Sequence, residues 1–74
     1  MKKKNKLEEF FIQKGSCFFT GRKSEFNGLP IFTSKIEKAQ PFTSVWRAMD
    51  EMKTWTLGQT NHCRIYVRTK AWHH

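Results

Sequence analysis

Cysteine is scarce in this sequence of 74 residues, which contains only Cys17 and Cys63. Two cysteines are too few for a disulfide framework. Neither the cysteines nor the histidines have the C-x-x-C or H-x(3–5)-H spacing of a zinc site, and His62 and Cys63 are adjacent, so in a strand they point to opposite faces. We therefore expect two reduced, buried thiols, no bound metal and no cofactor.

Long hydrophobic runs are also missing, and no stretch approaches the roughly 18 apolar residues of a membrane-spanning helix. The basic start over Lys2, Lys3 and Lys4 resembles the first part of a secretory signal. However, Glu8 and Glu9 interrupt the place where an apolar segment of roughly 7–15 residues should begin. We therefore expect a cytoplasmic protein with no membrane partner.

Acidic residues are few, 6 against 14 lysines and arginines. Asp50 and Glu51 fall beside Arg47 and Lys53 in a predicted helix, a pattern typical of a solvated face with local ion pairs. The four glycines are scattered, and none opens a helix in the pattern of a phosphate-binding loop. Cys63 is predicted on a core face, where burial makes a thiol a poor nucleophile. We expect no enzymatic activity.

The formal net charge of +8 favours polyanions or acidic protein surfaces as partners, although such a charge also serves solubility alone. Half of this charge lies in residues 1–6, which we interpret as a flexible basic tail. The remaining residues 7–72 are predicted to form one domain, because a chain of this length builds a single modest core.

Two aromatic segments, residues 7–13 and 17–20, flank Gly15 and Ser16 and predict a β-hairpin. A polar connection follows, with a turn at Asn27 and Gly28, because both residue types tolerate positive φ. Residues 30–33 are predicted to be a short extended segment that enters the next unit.

Ser34 and Glu37 have the spacing of a capping box. They predict a single helical turn over residues 34–39, which should end before Pro41 because the residue preceding a proline avoids the helical region.

The main helix is predicted from Thr43 or Ser44 to about Trp55. Its apolar residues recur at spacings of three and four and form one stripe for the core: Val45, Ala48, Met49, Met52 and Trp55. Gly58 is placed where a left-handed C-terminal cap is expected.

The last strand is predicted over residues 62–69. Cys63, Ile65 and Val67 alternate with Arg64, Tyr66 and Arg68, and a period of two assigns the first set to the core. The fold class predicted is α+β, a small β-β-α-β domain with a three-stranded sheet covered on one face by one main helix. Phe18 or Phe19, together with Phe42, should complete the core.

The exposed set on the last strand is the best candidate binding site. Arg64, Tyr66 and Arg68 form a basic and aromatic row that Lys70 and Trp72 extend, with Arg47 on the helix as a further cation. Such a row can contact phosphates while its ring stacks on a base. Arg and Tyr also occur on exposed strand faces for no functional reason, and Trp46 and Trp72 are either binding residues or covers for the core.

The pattern from Ile31 to Ser34, followed by Ile36, Ala39, residues 42–44 and Ala48, resembles a segment of small proteins of bacteriophages and other mobile elements. In those proteins a hairpin precedes the segment and a closing strand follows it, here residues 64–68. The resemblance covers packing residues and carries no catalytic residue. It implies a small protein that binds and disables a host machine, in the cytoplasm of the host.

Two functions from different classes are therefore predicted. The first is a non-enzymatic effector that binds and modulates a host protein or nucleoprotein complex. The second is an accessory protein that binds DNA or RNA directly through the basic and aromatic strand face. Positive charge fits both functions.

Overall fold

The computed structural model describes residues 6–71, with Lys6, Lys70 and Ala71 described by their backbone alone. These residues form one antiparallel sheet of four strands in the order β3-β2-β1-β4. The α+β class is confirmed, but the three-stranded sheet was wrong. The segment expected only to be extended is a full edge strand, because its backbone pairs with β2. The strands are β1 (Lys6–Lys14), β2 (Cys17–Lys23), β3 (Pro30–Thr33) and β4 (Cys63–Ala71).

The β1–β2 hairpin forms as predicted, with Gly15 in its turn at a φ of 63°. Only Gln13 and Lys14 of β1 pair with β2. Beyond them the two strands separate, and residues 40–42 bridge the gap: Gln40 N–H donates to the Phe19 carbonyl at 2.9 Å, while Phe10 and Phe42 exchange two backbone hydrogen bonds. The sheet is thus forked, and the chain that leads into the main helix fills the fork.

Gly21 on β2 lies against this filling segment. Its φ is 87°, and a Cβ atom placed there would approach the Gln40 side chain to 2.8 Å. Glycine is therefore required at this position both by its backbone conformation and by the closeness of Gln40.

The pairing of β1 with β4 is long and regular. It runs without a break from Lys6 opposite Ala71 to Lys14 opposite Cys63. Lys6, which we expected in the basic tail, is the first residue of β1. The rest of that tail, residues 1–5, lies outside the described residues.

The main helix α1 (Val45–Met52) begins as predicted, because the Ser44 hydroxyl accepts from the Arg47 N–H at 3.2 Å. It ends three residues earlier than expected, since Thr54 and Trp55 donate to the carbonyls three residues before them and tighten the chain into a turn. No helix within residues 6–71 is long and apolar enough to cross a membrane.

The expected left-handed cap at Gly58 was wrong. Gly58 lies inside a second short helix, α2 (Leu57–Thr60), and lacks a positive φ. This helix has a capping box of its own, in which Thr56 and Gln59 exchange side-chain-to-backbone hydrogen bonds.

The capping box expected at Ser34 and Glu37 was also wrong. The turn there is a 3₁₀ helix over Ile36–Lys38, preceded by Lys35, and no side chain caps it. Lys35 N–H donates instead to the Thr33 hydroxyl at 3.1 Å, so the chain stays extended one residue longer than the sequence pattern indicated.

The main core lies between α1 and the sheet face that carries Ile12 and Phe19. Ile12, Phe19 and Ala48 are at most 1% exposed, and Trp55 is 8% exposed. Five partly buried side chains complete it: Phe32, Phe42, Met52, Cys63 and Ile65. Met49 and Val67, which we expected in the core, are 41% and 49% exposed. The part of the helix that meets the sheet therefore centres on Ala48.

Two matched substitutions on α1 test this assignment. Ala48→Asp should abolish the cooperative thermal transition, because it places an unpaired charge among Ile12, Phe19 and Trp55. Met49→Asp should keep that transition and cost about 1 kcal/mol or less, because the side chain reaches solvent. Circular dichroism melts of both variants measure the difference. Unfolding by Met49→Asp with a stable Ala48→Asp variant would contradict the packing described above.

Candidate binding surfaces

The candidate binding residues of β4 lie on the sheet face opposite the main core, which we call the open face. Arg64, Tyr66 and Arg68 are paired with Gln13, Phe11 and Glu9 of β1, whereas Ile65 is paired with Ile12. Since neighbours across an antiparallel sheet share a face, the first three pairs lie on the side away from α1. Arg64 is exposed, and Tyr66 is 40% exposed.

Three aromatic rings from three strands pack together on the open face. The centroid of Phe11 lies 6.1 Å from that of Phe18 and 6.3 Å from that of Tyr66, and the last two are 5.6 Å apart. These separations are typical of favourable aromatic contacts. Phe11 is only 1% exposed, although α1 packs on the other face. The open face therefore contains a second, smaller core.

Arg68 covers one side of this cluster. Its guanidinium carbon lies 5.2 Å from the centroid of the Phe11 ring. Its Nε and Nη2 atoms both donate to the Glu9 Oε1 atom, at 3.1 and 2.8 Å. Both side chains are largely shielded, Arg68 being 34% and Glu9 18% exposed. Arg68 thus has an acid and a ring of its own chain as partners, which leaves Arg64 as the more available guanidinium.

The structure does not bring the remaining candidate residues into one site. Lys70 belongs to β4, where its backbone is paired with Leu7. Trp72 lies outside the described residues. Arg47 is exposed on α1, which packs against the other side of the sheet, so it is separate from Tyr66.

A second surface, the helix surface, is formed by Trp46, Met49 and Leu57 on α1 and α2. They are 69%, 41% and 88% exposed, high values for large apolar side chains. Trp46 and Met49 lie three residues apart and so are neighbours along α1. Next to them, an apolar groove of about 380 Å³ is lined by Met49, Met52, Lys53, Trp55, Leu57 and Thr60. The sequence left Trp46 open as a binding residue or a cover for the core, but no pattern indicated Leu57.

The two cysteines flank Lys14, which is paired with Cys17 on one side and Cys63 on the other. Two strand spacings separate their backbones by about 9–10 Å, beyond the reach of a disulfide. Cys63 Sγ donates to the Gln59 carbonyl at 3.4 Å. Burial raises the pKa of the Cys63 thiol, and the nearby Lys14 ammonium partly opposes this rise. Within residues 6–71, no three potential metal ligands cluster.

The pair formed by Glu9 and Arg68 should couple strongly for a cross-strand pair. A double-mutant cycle with Glu9→Gln and Arg68→Gln should give a coupling free energy of about 1–2 kcal/mol, because both groups are shielded and Arg68 also contacts Phe11. The matched control is Asp50 with Lys53, whose side chains are 72% and 75% exposed. That cycle should give about 0.5 kcal/mol or less. Equal coupling free energies for the two pairs, measured by urea unfolding, would contradict the conclusion that Arg68 is a shielded partner of Glu9.

Comparison of the chain with protein-family models, with curated proteins and with solved structures found no match. The resemblance to small phage proteins therefore remains a prediction from the sequence. The proposals that follow rest on the residues of the open face and of the helix surface.

Proposed function

We propose that this chain is a small non-enzymatic protein that binds another protein through its helix surface. The observation that carries the proposal is the 69% exposure of Trp46, which neighbours Met49 along α1, while Met49 and Leu57 line the same groove. Tryptophan is the residue type most enriched among binding hot spots, and its burial against a partner removes a large apolar area from water. The adjacent groove offers an apolar recess for a side chain of the partner.

Charge indicates the chemistry of the partner. The chain has a formal net charge of +8, and Arg47, next to Trp46, is exposed. An acidic partner surface with an apolar centre would satisfy both features, because rim charges steer association while the desolvated centre supplies affinity. A host protein or nucleoprotein complex, as expected for a phage effector, fits this description.

A second candidate function is direct binding of single-stranded nucleic acid by the open face. Arg64 and Tyr66 share this face, and a ring beside a guanidinium is the basic unit of such binding. The face offers little more than this unit, since Phe11 is 1% exposed and Arg68 is paired with Glu9. We therefore rank this function below protein binding.

Capture of partners from a lysate of the native host, with and without nuclease, tests the proposal. The wild-type chain should retain the same proteins after nuclease treatment, and Trp46→Ala combined with Leu57→Ser should lose them. The expected loss is at least about tenfold in captured protein, as for removal of hot-spot residues. Mass spectrometry with isotope-labelled reference peptides measures the amount of each captured protein.

The matched control is Phe26→Ala, which removes an aromatic side chain that is 94% exposed in the loop between β2 and β3. It should retain the captured proteins. If Phe26→Ala fails equally, the loss reflects general adhesiveness and the proposal is wrong. If nuclease abolishes capture and Arg64→Ala weakens it while the helix variants do not, the second candidate function replaces the first.

A further inference from the structure

The two edges of the sheet differ in how they are protected. The β3 edge is short, with four residues, and begins with Pro30, which has no backbone N–H. Its pairing with β2 also shifts register between Phe19 and Lys23. Short length, proline and irregular register are among the features by which natural proteins prevent a further strand from adding to an edge, and charged side chains are another. On β4 the charges are Arg64, Arg68 and Lys70, all positive, so they deter a basic strand but not an acidic one.

The β4 edge lacks the other three protections. It is nine residues long, contains no proline and is paired with β1 in one continuous register. Within residues 6–71, β1 is its only strand neighbour. Tyr66 and Val67, at its middle, are 40% and 49% exposed. In a strand paired on one side, about half of the backbone N–H and C=O groups point outward and lack a strand partner.

We propose that the outer edge of β4 binds an extended, acidic segment of another protein as an additional strand. The pairing with β1 shows what such a strand requires on the open face. Glu9 lies opposite Arg68, and Phe11 lies opposite Tyr66. A strand on the other side would place an acid opposite Arg64, which has no acid opposite it on β1, and an apolar residue opposite Tyr66.

Charge disfavours a second copy of the chain in the register centred on Tyr66. An antiparallel β4–β4 pair centred on Tyr66 would place Arg64 of each copy opposite Arg68 of the other, and like charges directly opposite are destabilising. Strand addition uses backbone hydrogen bonds for affinity and alternate side chains for specificity. The edge is distinct from the helix surface, so this inference shares with the proposed function only the claim that the partner is a protein.

The test uses an end-blocked peptide, Thr-Glu-Thr-Val-Thr-Glu-Thr, titrated into the full-length ¹⁵N-labelled chain and followed by NMR. In either direction it places Glu opposite Arg64 and Arg68 and Val opposite Tyr66. Two derivatives carry N-methyl groups, one on the third and fifth residues and the other on the fourth and sixth. These sets face opposite edges of the added strand.

We expect one N-methylated peptide to bind at least about tenfold more weakly and the other to bind as the parent does, because only one set blocks hydrogen bonds to β4. Arg64→Glu should weaken the parent peptide about tenfold, and Arg47→Glu, an equal charge change on α1, by less than about twofold. The helix-surface variants should bind the peptide normally, so failure of the proposed function leaves this result intact.

Several results would overturn the inference. Equal binding of the two N-methylated peptides would show that no strand adds, and this comparison needs no variant of the protein. Absence of chemical-shift changes in the β4 amides at millimolar peptide concentration would also show that no strand adds. A dimer in sedimentation that the peptide fails to dissociate would assign the edge to a second copy, and displacement of the peptide by a short oligonucleotide would assign it to nucleic acid.

Discussion

The structure depends on one constraint at the centre of the sheet: Phe11 and Ile12 are neighbours in β1, and both must be buried. They are 1% and 0% exposed, and side chains of successive strand residues point to opposite faces. Each face of β1 therefore needs a cover. α1 supplies one cover through Ala48. Phe18, Tyr66 and Arg68 supply the other, with Glu9 fixing the position of Arg68.

These two covers determine which surfaces remain for binding. Most of the aromatic surface on the open face shields Phe11, and Arg68 packs against the same ring. The most exposed large apolar side chains lie away from both covers: Trp46 and Leu57 on the helices and Phe26 in the loop before β3. Among the described residues, the outer edge of β4 also has no strand neighbour. Under the two proposals, other proteins would contact the helix surface and the outer edge of β4 rather than the whole sheet.

Local patterns predicted much of this fold. The Ser44 cap and the hairpin turn at Gly15 depend on neighbouring residues, and both are present. The alternation predicted for β4 holds from Cys63 to Tyr66 but fails at the next two residues, because Val67 is 49% exposed and Arg68 is shielded by its contacts with Glu9 and Phe11. The missed features depend on contacts between distant residues. The fork in the sheet needs Phe42 to pair with Phe10, and the Glu9–Arg68 contact spans 59 positions. Periodicity does not encode such contacts. The sequence therefore placed the candidate row on the correct strand, β4, but did not show that Arg68 is paired with Glu9.

Amide hydrogen exchange of the full chain tests the central position of β1 most directly. Amides in the covered middle of β1, those of Phe10 and Phe11, should exchange only through global unfolding, because Phe10 donates to the Phe42 carbonyl on one side of the strand and Phe11 is paired with Tyr66 on the other. In β4 the amides should alternate between slow exchange, where they donate to β1, and fast exchange, where they point outward. Uniformly slow exchange along β4, or faster exchange at Phe10 and Phe11 than in β4, would contradict the account.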